Sequence, residues 1–186
     1  MLSRQEPIPD TPVASGCAAA AIILAGEGEA LKVCFIKRAD REGDPWSGHM
    51  ALPGGRTSET DLTVQRTAER EVEEEIGLNL SPELLIGRLP DLPILRFGTD
   101  TGFVLSIFVY YLGPVLSPLV PNHEVAEAFW IDLDYLWDLE HRSCFDAVYG
   151  DRHVTAPAIR VGENLIWGLT FRVLELFGQK ISIPLN

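Results

Sequence analysis

Four glutamates crowd into the five residues Glu71-Val72-Glu73-Glu74-Glu75, between Arg70 and Ile76-Gly77-Leu78. On a helix, Glu71, Glu74 and Glu75 stand at i, i+3 and i+4 and project from one face. Like charges one turn apart repel, and the partial negative charge of a helix C-terminus adds to the conflict. Local rules broken in this way mark a functional position. A divalent cation resolves the conflict, because carboxylate oxygens on one face suit magnesium, with manganese as a substitute. Magnesium keeps several waters and bridges to phosphates. Such ions activate a water and neutralise charge that builds on phosphate oxygens. Arg70 is expected to hold the carboxylates in place, and Glu73 faces away into solvent. A solvated acidic helix end is the bland alternative. Against it stands the tight turn Leu52-Pro53-Gly54-Gly55, which can bring backbone carbonyls, that of Gly55 in particular, to the same ion.

The elements that must position these groups follow from periodicity and punctuation. Cys17–Ala25 reads as a strand and residues 31–38 as a second, joined in a hairpin by Gly26-Glu27-Gly28. Residues 39–48 form a loop, and 49–52 a short strand that Pro53-Gly54-Gly55 cuts off. Leu62, Ala68, Val72 and Ile76 predict a helix over 61–76 with Gly77 as its C-cap. Strands are expected at 84–89, 103–112 and 126–131, a short helix at 134–140 and a final amphipathic helix over 164–177. On that last helix Trp167 and Phe171 make a core stripe. Strands and helices mix without regular alternation, which predicts an α/β fold with a mixed sheet covered by helices on both faces.

Composition sets the outer limits. With 186 residues, 46% hydrophobic and 23% charged, the chain reads as one globular domain. We expect an arm over residues 1–12, the domain over 13–180 and a tail over 181–186. The longest apolar runs are too short to span a bilayer as helices, so no membrane partner and a cytoplasmic location are expected. Three scattered cysteines and four dispersed histidines lack the spacing of a zinc site. A net charge of −12 argues against nucleic acid as partner, but a small anionic substrate can still bind through metal ions. Nothing identifies an interface, so a homodimer is left open.

Gly55, Arg70, Glu71, Val72, Glu74, Glu75, Gly77 and Leu78 resemble the Nudix box, G-x5-E-x7-R-E-U-x-E-E-x-G-U with U aliphatic. Residues 70–78 match at every specified position. In the first half Asp61 replaces the glutamate and Gly55 lies one residue farther from Arg70. This spacing is similar to the coenzyme A pyrophosphatase branch. Arg38-Ala39, the run from Gly48 to Gly55, Pro121 to Val125 and Ile166 to Thr170 are similar to other segments of that branch. Leu52 stands in place of a phenylalanine, and Arg41 comes too early for the second arginine of its signature.

The resemblance implies the Nudix α/β/α sandwich and a magnesium-dependent pyrophosphohydrolase acting on a small nucleotide, coenzyme A first. Hydrolysis of ADP-ribose or nucleoside diphosphate sugars is the alternative, and a non-catalytic binding module on the same scaffold is another. It makes Glu71, Glu74, Glu75 and the Gly55 carbonyl the expected metal ligands. Glu124 becomes the leading further carboxylate, as ion ligand or general base, with Glu127 its competitor. Arg38, whose planar fork suits phosphate, and His49 are the expected substrate contacts, with a surface salt bridge left open for Arg38 and a structural role for His49. Trp46 and Trp130 are candidates for stacking on a base, with a core or rim role preferred for each.

Overall fold

The computed structural model describes residues 16–44, 46–96, 98–149, 151–182 and 185. The expected arm at residues 1–12 lies outside them, as does part of the expected tail. The strand β1 (Cys17–Ala25) is apolar at every position and buried from Ala18 onward. It pairs in parallel with β6 (Thr99–Tyr111) along its length, Cys17 opposite Val104 through Leu24 opposite Tyr111. A strand covered on both faces reads as a continuous hydrophobic run rather than an alternation. Ala18, Ala20, Ile22 and Leu24 enter one core, while Ala19, Ala21 and Ile23 enter the other.

Those two cores are the two sides of the sandwich. The main sheet runs β3 (Met50–Ala51), β2 (Lys32–Arg38), β1, β6, β5 (Leu85–Arg96), with β4 (Gly54–Arg56) on β1 and β7 (Val125–Asp132) on β2. On one side lies α1 (Val64–Ile76), packing Val64, Ala68, Val72 and Ile76 against the small side chains of β1. On the other lie α2 (Leu133–Trp137) and α3 (Gly168–Lys180), whose Phe171, Leu174 and Phe177 fill the second core. A three-stranded antiparallel sheet, β10 (Asn164–Trp167), β9 (Arg152–Val161) and β8 (Arg142–Tyr149), completes the fold.

Several expectations change in detail. The strands β1 and β2 pair only at Leu24–Val33 and Ala25–Lys32, because β4 takes the start of the same edge, with Gly54 opposite Ala20 and Gly55 opposite Ala19. Helix α1 begins at Val64: the Thr63 hydroxyl accepts the Arg66 N–H at 3.2 Å as the N-cap. Leu62, 85% exposed, therefore belongs to no core stripe. Gly77 ends the helix in the left-handed conformation at φ 69°, as expected of a C-cap. The last helix starts only at Gly168; Trp167 belongs to β10 and Phe171 alone of that pair is buried. Ile181 and Leu185 lie partly buried against the core, so those two residues of the expected tail are packed. The hairpin β8–β9 was not anticipated, since Pro157 sits within its second strand and half of that strand's residues are exposed.

Gly54 has φ 153°, and a Cβ there would run into the Ala19 carbonyl oxygen and come within 2.6 Å of the Ala20 Cα. Gly54→Ala should lower the unfolding free energy by at least ~3 kcal/mol, measured by urea denaturation.

Candidate active site

The last turns of α1 carry the glutamates, and β4 runs beneath them. Glu75 is 4% exposed, and its Oε2 accepts the Gly54 N–H at 2.8 Å. A Cβ on Gly55 would strike the Glu71 carboxylate, so the absent side chain lets the β4 backbone lie against that group. Glu74 is exposed. Of the expected ligands, Glu71 and Glu75 thus lie against Gly54 and Gly55 where the turn and the helix end cross, while Glu74 stands at the exposed edge.

Arg70 ties this assembly together. Its Nη1 donates to Glu74 Oε2 at 2.9 Å and lies at the same distance from Glu71 Oε1. Its Nε and Nη2 grip Asp61 at 2.9 and 3.0 Å, and Nη2 also reaches the Arg56 carbonyl. Asp61 further accepts the Ser58 N–H and the Thr67 hydroxyl. One bidentate pair therefore fastens the loop ahead of the helix to the helix itself. The Arg70 hydrogen bonds hold the Asp61 carboxyl down at about 2, although burial opposes the shift.

The glutamates shift the other way. Burial pushes Glu75 up to about 8, with the charges of Glu71 and Glu124 adding to the effect. Burial also raises Glu71 above its ordinary value, and Arg70 only partly offsets this. Beneath them Cys34 is pushed up to about 12, first by burial and then by the Glu75 charge.

The segment before β7 reaches the same place. The Val120 and Asn122 N–H groups donate to the carbonyls of Ile76 and Glu75 at 2.9 and 3.0 Å, capping the helix end. Asn122 Oδ1 accepts the Glu124 N–H at 2.8 Å, and the Glu124 carbonyl accepts the Ala39 N–H at 2.8 Å. Glu124 is thereby held beside the helix end, close enough for its charge to raise both Glu71 and Glu75. Glu127 instead pairs with Lys37 across β2 and β7.

The expected substrate contacts fare differently. Arg38 Nη2 donates to Asp44 at 2.6 Å, so its charge is already matched. Burial is the largest single influence on Asp44 and opposes its ionisation, yet the hydrogen bonds from Arg38 and the Trp46 N–H, with the charges of Arg38 and Arg41, together hold that carboxyl below its usual value. His49 packs among Trp46, Phe145 and Trp167, its ring 5.1 Å from that of Trp167. Burial lowers its pKa, and the nearby charge of Asp44 only partly offsets this. The Trp130 indole N–H donates to the Ser117 carbonyl, a structural role.

Sequence reasoning missed the grip of Asp61 on Arg70, the Asp44 partner of Arg38 and an ion pair between Arg41 and Glu124, Nη2 to Oε1 at 3.0 Å. Only the first had a signal, a carboxylate at the spacing where the box carries one.

No three Asp, Glu, His or Cys side chains converge as a ready-made metal cage among the described residues. The donor set still fits magnesium. It consists of oxygens alone, and magnesium completes its shell with water and phosphate rather than with a full protein cage. The upward shift of Glu75 marks a buried carboxylate with too little positive charge opposite it, which a cation would supply.

A carboxylate-bearing helix laid over a glycine turn, on a mixed sheet between helical layers, defines an α/β/α sandwich with an acidic site. The NUDIX domain family model matches residues 15–149, and the chain belongs to the Nudix hydrolase family. It is 30% identical over 145 residues to the mitochondrial coenzyme A diphosphatase NUDT8 of Mus musculus, covering 76% of this chain and 67% of that protein. An uncharacterized Nudix hydrolase, NudL, of Photorhabdus laumondii is 26% identical over 74% of this chain and 71% of its own. An uncharacterized protein of Schizosaccharomyces pombe is 40% identical over 104 residues, which span 54% of this chain but only 32% of that longer relative. A MutT/nudix family protein of Enterococcus faecalis superposes with a TM-score of 0.62 at 20% identity, over 96% of this chain and 65% of that one, a likeness of fold.

Asp61 and Glu75 make opposite pH predictions for the metal-free protein. Asp61, lowered from 3.8 to about 2, contributes stability above 3.8 that is lost as pH falls through 2. Glu75, raised from 4.5 to about 8, contributes stability below 4.5 that is lost as pH rises through 8. Denaturant melts in a chelator should show stability falling between pH 5 and 8, with limits set by those values, and Glu75→Gln should flatten that slope. Asp61→Asn should cost ~2–4 kcal/mol at neutral pH, since it leaves Arg70 without its most buried partner.

Proposed function

We propose that this chain is a magnesium-dependent pyrophosphohydrolase. It cleaves the diphosphate bond of a nucleoside diphosphate derivative, with coenzyme A or a similar ADP-containing compound as the leading substrate. One observation carries the chemistry. Glu71 and Glu75 lie against Gly55 and Gly54, Glu74 is tied to Glu71 through Arg70 on the same helix face, and the buried Glu75 carboxylate is short of positive charge. The name of the mouse relative, a coenzyme A diphosphatase, supports the substrate.

In this reading Glu71, Glu74 and Glu75 hold the ion, with manganese able to substitute and the Gly55 carbonyl assisting. Bound magnesium supplies charge neutralisation to the diphosphate oxygens. Arg70 keeps Glu71 and Glu74 oriented while Asp61 keeps Arg70 oriented, so the geometry is set before substrate arrives. Glu124 accepts a proton from the water that attacks phosphorus, its backbone fixed by Asn122 and Ala39. In-line displacement gives two phosphorylated products.

The Arg38–Asp44 pair favours a second reading, a hydrolase of ADP-ribose or a nucleoside diphosphate sugar, because a matched arginine is poorly placed to meet an additional phosphate. A cytoplasmic location belongs to the same proposal; no helix among the described residues is long and apolar enough to cross a membrane.

Turnover of coenzyme A, ADP-ribose, nucleoside diphosphate sugars and a dinucleoside polyphosphate with magnesium tests both readings. Coenzyme A should be cleaved fastest, and Glu74→Gln should lower kcat by ~10²–10³-fold. A sugar nucleotide cleaved fastest would install the second reading, and no turnover of any compound would overturn both.

A further inference from the structure

The cations around the helix end differ in how firmly they are held. Arg70 has Asp61, Glu71, Glu74 and a backbone carbonyl as partners, and Asp61 is 5% exposed on its side chain. Arg38 is bound to the well-covered Asp44 at 2.6 Å. Arg41 differs: its side chain is 59% exposed, and its partner Glu124 is 44% exposed. Among the described residues its guanidinium makes a single hydrogen bond. An exposed ion pair of this kind contributes only ~0–1 kcal/mol.

The backbone beneath Arg41 is, by contrast, fixed. The Arg41 N–H donates to the Ser47 hydroxyl, which returns a bond to the Arg41 carbonyl, and the Asp44 N–H donates to that carbonyl as well. Glu124 is equally anchored, by Asn122 and Ala39. Two fixed backbones thus present a loosely joined pair of side chains at the edge of the carboxylate cluster. The pair also screens Glu124, whose carboxylate must be free if it is to take a proton.

We propose that Arg41 is a substrate-binding residue that exchanges partners, leaving Glu124 for the incoming diphosphate group. Arg41 forms a charge-assisted, bidentate contact with phosphate oxygens, stronger than its single bond to an exposed carboxylate. Its departure uncovers Glu124 only when the anion is in place. The chain carries a net charge of −12, and a cation that becomes available on demand offsets part of the repulsion its substrate meets. The inference rests on the diphosphate-cleaving reading and adds a residue and a coupling to it.

The test is calorimetric binding of the α,β-methylene analogue of ADP, which cannot be cleaved, in magnesium. The proteins are wild type, Arg41→Gln, Glu124→Gln and the double variant. Arg41→Gln should weaken binding ~10–100-fold, the range of a lost charge-assisted bond. Glu124→Gln should tighten binding severalfold by releasing Arg41, and that gain should vanish in the Arg41→Gln background. Non-additivity of this kind reports the exchange, whereas a merely structural loss does not produce a gain. If wild type binds and Arg41→Gln binds within twofold, the inference fails while the proposed function stands. The same holds if Glu124→Gln tightens binding equally in both backgrounds. If wild type binds no analogue at millimolar concentration, the proposed function and the inference fail together.

Discussion

The bidentate grip of Arg70 on Asp61 is the interaction on which the rest of the site depends. Three carboxylates on one helical face, at its negative end, would spread apart if left alone. Arg70 opposes this from within the cluster, by pairing with Glu71 and Glu74 at one nitrogen. A guanidinium that free would swing between partners. Asp61, under the loop and 5% exposed, takes the other side of the fork and fixes it. The result is a carboxylate array positioned by protein alone, with charge left over for a cation to balance.

The fold supplies the two surfaces that this array needs. Alanines on one face of β1 let α1 sit close to the sheet, with its apolar stripe inward and its glutamates over β4. The glycines of β4 then bring backbone where side chains would otherwise stand. Gly54 donates its N–H to the buried Glu75, and Gly55 leaves room for Glu71. The segment before β7 caps the helix end and delivers Glu124 to it. Sheet register, glycine placement and helix capping therefore converge on a patch only a few residues wide.

Much of this was legible in the chain itself. The spacing of Glu71, Glu74 and Glu75, the stripe of Ala68, Val72 and Ile76, and the cap at Gly77 needed only helical periodicity. The strand β1 was readable from its unbroken apolar run. The pairing of β4 with β1 was not legible, because a Gly-Gly-Arg segment has no strand signature and is held by its neighbours. Nor was the hairpin of β8 and β9, which buries little and includes a proline. At the site, individual residue types were read correctly but not their partners. For Arg38 a phosphate contact and a salt bridge were both open, and the sequence did not name Asp44, six residues on, as its partner. Arg41 drew little attention, since only the tertiary structure brings residue 124 beside it. Pairings across loops are set by chain paths that local pattern does not encode.

The central claim is that this helix face holds a divalent cation through carboxylates that burial has left short of positive charge. Manganese titration at pH 7 by calorimetry, in two buffers of different ionisation enthalpy, tests it most directly. With Glu75 raised to about 8 it is mostly protonated at that pH, so binding must release its proton. The account predicts binding with proton release of nearly one per site, and loss of both affinity and proton release in Glu75→Gln. Manganese that binds without proton release, and equally well to Glu75→Gln, would contradict it.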